Sequence, residues 1–178
     1  SPLGQVPVLR ISDDEALFES TAICEFLSET AEAGLLPADP LARARVRAQV
    51  ALSSDCLANI TELLGAPERA SFARACANLT DKLDWLEEGL EDQGAPYWGG
   101  ETLSLSDAAF APLATQFSVL KRLGIELVDV DDTPCVVAWL NRLDKHYSVK
   151  SSVVDDYAER MRQSIIRRSG HAAGLLVT

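Results

Sequence analysis

Two hydrophobic periodicities divide this chain. Val6 to Ile11 is an aliphatic, β-branched run, Ser12-Asp13-Asp14 is turn chemistry, and Ala16 to Phe18 is a second apolar run, a pattern that predicts a β-hairpin. From Ser20 onward the spacing becomes helical: Ile23, Phe26, Leu27 and Thr30 or Ala31 recur until Gly34, with Ser20 as the expected N-cap.

Leu35-Leu36-Pro37-Ala38-Asp39-Pro40 is too rich in proline for a helix or strand interior, and beyond it the pattern is helical only. A domain boundary is therefore expected at 35–40, between a unit over 1–34 and an all-helical unit over 41–178. Asp39 as N-cap with Pro40 at the first helical position opens a long helix, whose apolar side holds Val46, Val50, Leu57, Ile60 and Leu64 before Gly65. A second helix starts near Pro67, carries Phe72, Cys76, Leu79, Leu83, Leu86 and Leu90, and breaks at Gly94-Ala95-Pro96. The two are expected to pair antiparallel.

Tyr97 to Gly100 reads as a loop, and Ser104 with Asp107 forms a capping box in which the serine hydroxyl and the aspartate carboxylate satisfy each other's amides. That box is assigned to structure rather than to catalysis. The helix it opens contains Pro112, another helix begins at Pro134, and Val153 to Arg168 is amphipathic. Ser169 to Thr178 is expected to be loosely held.

Composition narrows the function classes. Sixteen basic against twenty-seven acidic residues give a net charge of -11, which repels a polyanion, so nucleic acid is not an expected partner. No apolar run has the length of a membrane helix, so no membrane partner is expected either. Cys24, Cys56, Cys76 and Cys135 are far apart, without metal spacing, and are expected to be buried, reduced thiols of a cytoplasmic protein. No metal is expected. His146 and His171 have no serine or cysteine nucleophile beside them, which argues against a triad. Arg43, Arg45 and Arg47, and Arg160, Arg162, Arg167 and Arg168, read either as solvated helix faces or as places for a small anion.

Glu19-Ser20 at a helix start is the most specific chemical feature. Free amides and a hydroxyl at a helix N-terminus hold a carboxylate, although the same residues also read as a plain cap. Together with Gln5-Val6-Pro7 upstream, this stretch resembles the thiol-binding half of a glutathione transferase amino-terminal domain. The helical landmarks after the linker resemble that family's carboxyl-terminal domain. The resemblance implies an α+β, mostly α fold: a partial thioredoxin-like β-hairpin plus helix, followed by the all-α glutathione transferase C-terminal helical domain.

It also implies chemistry. Pro7 would follow a cis bond that turns the backbone of Val6 toward the cysteinyl part of glutathione, and Glu19 and Ser20 would hold its γ-glutamyl end. Gln5 either hydrogen-bonds the tripeptide or is an exposed turn residue. A small hydrophobic electrophile would sit between the domains, with Leu52, Ser53, Cys56, Asn59, Phe110 and Tyr157 as candidates for lining it or for core packing. Asp55 is a candidate for a partner subunit's glutathione in a homodimer. The thiol-activating tyrosine, serine or cysteine is expected upstream of residue 1, so no catalytic residue is assigned. The implied activity is conjugation of the glutathione thiolate to the electrophile. A non-catalytic binding protein on the same fold, or a glutathione-dependent etherase or dehalogenase, remains as the alternative.

Overall fold

The computed structural model describes residues 1–2, 4–127 and 132–177, so Leu3 and Thr178 lie outside the described residues. Strands β1 (Val8–Arg10) and β2 (Ala16–Phe18) pair antiparallel in the register Val8 with Phe18, Leu9 with Leu17 and Arg10 with Ala16. The turn closes where the amides of Ile11 and Ser12 donate to the Glu15 carbonyl at 2.9 and 3.1 Å. Leu9 and Leu17 are half-buried, while their neighbours on the opposite face are exposed, as alternation along a strand requires.

Helix α1 (Ser20–Thr30) follows β2 directly. Two expectations are corrected here. The helix ends at Thr30 rather than at Gly34, and the N-cap is Glu19, whose φ of 71° turns the chain straight from strand to helix, so that Ser20 becomes the first helical residue. Positive φ is uncommon for a residue with a side chain and tends to occur at functional positions.

Among the described residues six more helices follow: α2 (Pro40–Gly65), α3 (Arg69–Gln93), α4 (Leu105–Arg122), α5 (Pro134–Lys145), α6 (Tyr147–Ser152) and α7 (Tyr157–Arg168), then a 3-10 turn at His171–Leu175. Asp39 caps α2 by accepting from the Ala42 amide at 2.7 Å. Lys82 of α3 contacts Asp55 and Asn59 of α2, while Phe72 near the start of α3 packs on His171, whose amide donates to the Ala66 carbonyl just past the end of α2, so the pair is antiparallel. Gly94, with φ of 61°, ends α3 by the left-handed route open to glycine. The capping box at α4 forms as its spacing predicts, with both reciprocal bonds present. Segment 147–152 forms its own short helix α6.

The main core lies between α2, α3, α4 and α5, where Cys56, Ile60, Leu79, Leu83, Phe110, Leu113 and Trp139 meet. Ile165 of α7 and Ala172 of the tail belong to the same core. This overturns the expectation of a loose terminus. The His171 amide donates to the Ala66 carbonyl at 2.8 Å, and the Val177 amide donates to the Leu123 carbonyl at 3.0 Å. Gly170 makes the docking possible by lying where a Cβ would fall 2.5 Å from the Ala66 oxygen. A smaller cluster of Val46, Val50 and Leu105 packs on Leu35 and Leu36 and fixes the linker to the helices.

Helix α5 is capped from a distance. Its N-cap Thr133 makes no side-chain capping bond, and instead the Glu87 carboxylate of α3 accepts from the amides of Cys135 and Val136, both at 2.7 Å. A carboxylate at that end also suits the helix dipole.

Candidate functional site

Gln5, Val6 and Pro7 before β1, and Glu19 and Ser20 at the start of α1, line one cleft of about 130 Å³ together with Ser1. The hairpin explains why residues a dozen positions apart meet. Register from Val8 to Phe18 returns the chain beside its own beginning. The Val6-Pro7 bond is cis. The ladder starts only at Val8, so the backbone of Val6, a residue 90% exposed, stands outside the sheet.

The chemistry of the cleft is that of a helix N-terminus. The Ile23 amide is the first to make an intrahelical bond, donating to the Glu19 carbonyl at 3.0 Å, which leaves the earlier amides of α1 without helical partners. No side chain caps them. They and the Ser20 hydroxyl are donors for a carboxylate, and the Glu19 carboxylate beside them is an acceptor for an ammonium group. An α-amino acid end carries both charges, so this geometry suits one.

The candidates for an electrophile pocket do not meet in one place. Phe110 and Cys56 are fully buried core residues. Ser53 is buried too, with its hydroxyl donating to the Val50 carbonyl at 2.7 Å. These three pack the helices rather than lining a cavity, because the apolar face of α2 turns them inward against α3 and α4. Leu52 and Asn59 open instead on a surface cleft of about 370 Å³ with Lys82 and Trp85. Asp55 is paired with Lys82 of its own chain.

Tyr157 lines another cleft, of about 350 Å³, between α4 and the α6–α7 segment. Ala108, Ala111, Pro112 and Thr115 form one wall, with Val153 opposite, and no charged side chain lines it among the described residues. Small residues on α4 make the room. Burial pushes the Tyr157 phenol up, against a hydrogen bond from the Gln116 side chain that lowers it, so the phenol remains a neutral donor at physiological pH. The wall from 149 to 154 was not readable beforehand, since six residues of α6 give too short a window for a periodicity.

The cysteines are not uniformly buried, contrary to expectation. Cys24 is exposed on α1, Cys76 and Cys135 are intermediate, and Cys56 alone is in the core, where burial pushes its thiol up to about 11. Burial raises Cys76 and Cys135 as well, with the nearby Glu87 adding to the effect at Cys135. A raised thiol is a poor nucleophile. Two arginines of the first cluster are engaged: Arg47 pairs with Glu25, and Arg43 Nε donates to the Pro37 carbonyl at 3.0 Å.

Asp107 does more than its capping box required. Fully buried, it accepts from the amides of Trp98, Gly99 and Ser104 at 2.8, 3.1 and 2.8 Å, from the Ser104 hydroxyl at 2.7 Å and from Trp139 Nε1 at 2.8 Å. It joins the 97–100 loop, α4 and α5.

Comparison with known proteins agrees with this layout. Residues 1–30 match the model of the glutathione S-transferase N-terminal domain, and residues 69–142 match that of its C-terminal domain. The chain is 30% identical to the maize protein named Probable glutathione S-transferase BZ2 (Zea mays), over 85% of this chain and 70% of the relative. It is also 30% identical to Glutathione S-transferase U14 of Arabidopsis thaliana, over 93% of this chain and 71% of that one. The solved structure of glutathione transferase Omega 3C from Trametes versicolor superposes with a TM-score of 0.76 at 25% identity, covering 93% of this chain and 71% of that one.

Proposed function

Because the chain belongs to the glutathione S-transferase family, we infer that it holds glutathione in the cleft formed by Gln5, Val6, Pro7, Glu19 and Ser20, and acts as a transferase on a small apolar electrophile. The observation that carries this reading is the meeting of Val6-Pro7 with Glu19-Ser20 in one cleft. The exposed backbone of Val6 offers a donor and an acceptor to the cysteinyl part of the tripeptide. Ser20 and the free amides of α1 take the γ-glutamyl carboxylate, and Glu19 takes its ammonium group. These residues bind and orient. The chemical step is attack of the glutathione thiolate on an electrophilic carbon with departure of the leaving group, and binding interactions raise the rate only as far as they favour that transition state.

The electrophile's place in this reading is the cleft of α4 and Tyr157. An uncharged lining of small and apolar residues favours a neutral substrate, with the Thr115 and Tyr157 hydroxyls as its polar contacts. The division at residues 35–40 and a homodimer belong to the same proposal. No helix among the described residues is long and apolar enough to cross a membrane. Chemistry that cleaves an ether or removes a halide uses the same thiolate attack and differs only in the leaving group.

Calorimetric titration with glutathione tests the binding step. Ser20→Ala is expected to weaken affinity about tenfold, the loss of one charge-assisted contact, with the fold unchanged. Unchanged affinity would remove Ser20 from the site. Thioether formation with a generic aryl halide tests the transferase step, and a chain that binds glutathione without turnover is a binding protein.

A further inference from the structure

In a chain of net charge -11, the surplus of carboxylates is expected to neutralise most cations. Among the described residues they pair only Arg10, Arg47, Lys82 and Arg160, and at one place several of the remaining basic groups converge. Arg142, Lys145 and His146, at the end of α5, stand on an open cleft of about 570 Å³ that Tyr97, Asn141 and Tyr147 complete, and no carboxylate lines it among the described residues. None of the three basic side chains enters an ion pair among the described residues. The C-terminal carbonyls of α5 favour cations there, but a helix macrodipole amounts to about half a charge, less than Arg142 and Lys145 bring together.

The walls of this cleft are fixed. Asp107 holds the amides of Trp98 and Gly99 on one side and Trp139 Nε1 of α5 on the other, so a single buried carboxylate ties the Tyr97 loop to the helix that carries Arg142. Tyr97 and Gly100 exchange both backbone bonds, at 3.1 and 3.0 Å. The Arg142 guanidinium lies over the Tyr97 ring, 5.8 Å from its centroid. Stacking of that kind uses the face of the guanidinium and leaves its in-plane N–H fork for an oxyanion. Tyr147, 82% exposed, offers a second ring at the same cleft.

We propose that this cleft binds a small aromatic oxyanion, a ring bearing a carboxylate or phosphate, with the anion between Arg142 and Lys145 and the ring against Tyr147. It shares no residue with the cleft at α1. Its occupant is therefore held independently of glutathione.

The test is calorimetry and amide NMR on the full chain, with phenyl phosphate as probe and inorganic phosphate beside it. Phenyl phosphate is expected to bind in the millimolar range, to shift the signals of Tyr97 and Tyr147, and to be unaffected by saturating glutathione. The Arg142→Gln/Lys145→Gln double variant, altered at two exposed positions, is expected to bind it at least about tenfold more weakly. Tyr147→Ala, equally exposed, is expected to weaken phenyl phosphate and leave inorganic phosphate unchanged. Equal affinity of wild type and the folded double variant, or no binding at all, overturns the site. Equal affinity for the two phosphates overturns its aromatic part, and displacement by glutathione overturns its independence.

Discussion

Arg47 grips Glu25 with both arms of its guanidinium, Nε to Oε1 at 2.8 Å and Nη2 to Oε2 at 2.6 Å, and so ties the long helix α2 to α1. The pair spans the expected domain boundary and sits one turn and a half from Ser20 on the same helix. A bidentate pair fixes orientation as well as distance.

Arg47→Gln is accordingly expected to destabilise the protein only slightly, as solvent screening of an exposed guanidinium requires, and to weaken glutathione binding a few-fold by loosening α1. The hydrogen bond from Arg47 holds the Glu25 carboxyl below its ordinary 4.5. A carboxyl lowered in the folded state contributes stability above its unfolded value and loses it as the pH falls through the folded one. Urea denaturation from pH 7 down to pH 3 should therefore show wild type and variant converging below about 4.5. A constant gap would mean that the pair is not its source.

Asp107→Ala should be among the most damaging single changes in the chain. It leaves five donors, three of them amides, without their acceptor, those of Ser104 and Trp139 in buried places and the Trp98 and Gly99 amides part-buried, and a buried donor left unsatisfied costs about 1–3 kcal/mol. The denaturation midpoint and the emission of the Trp139 indole, released from its bond, report the two consequences. A loss below 1 kcal/mol would reduce the hub to an ordinary cap.

Cysteine reactivity should follow burial. At pH 8, iodoacetamide is expected to alkylate Cys24 first, since it is exposed, and Cys56 only in denaturant, since its thiol is buried and pushed up to about 11. Peptide mass spectrometry orders the four sites. Early labelling of Cys56 in the native protein would contradict its place in the core.

Gly170→Ala should lift the tail. Its Cβ would fall 2.5 Å from the Ala66 oxygen and 3.2 Å from the carbonyl carbon, both backbone atoms that cannot rotate away, at a cost of about 1–3 kcal/mol. Hydrogen exchange at the His171 amide, which bonds that same oxygen, should accelerate. Gly174→Ala, with nothing within 4 Å, is the control and should change neither stability nor exchange.

What the sequence determined by itself is whatever depends on local chemistry. The hairpin follows from alternation around Ser12-Asp13-Asp14, the start of α2 from Asp39-Pro40, the end of α3 from Gly94, and the box at α4 from the spacing of Ser104 and Asp107. Val6-Pro7 and Glu19-Ser20 were legible as a pair through their resemblance to a glutathione transferase amino-terminal domain, and the hairpin is what brings them together. Tertiary structure decided the rest. Glu87 caps α5 from 48 residues away, Asp107 collects donors from a loop and from Trp139, and the tail docks on Ala66, because a buried amide or carboxylate takes whichever partner packing brings within reach. The resemblance named Cys56 and Phe110 for a pocket or for core packing without telling the two apart. That distinction depends on how closely a neighbouring helix approaches, and only the packed molecule fixes it.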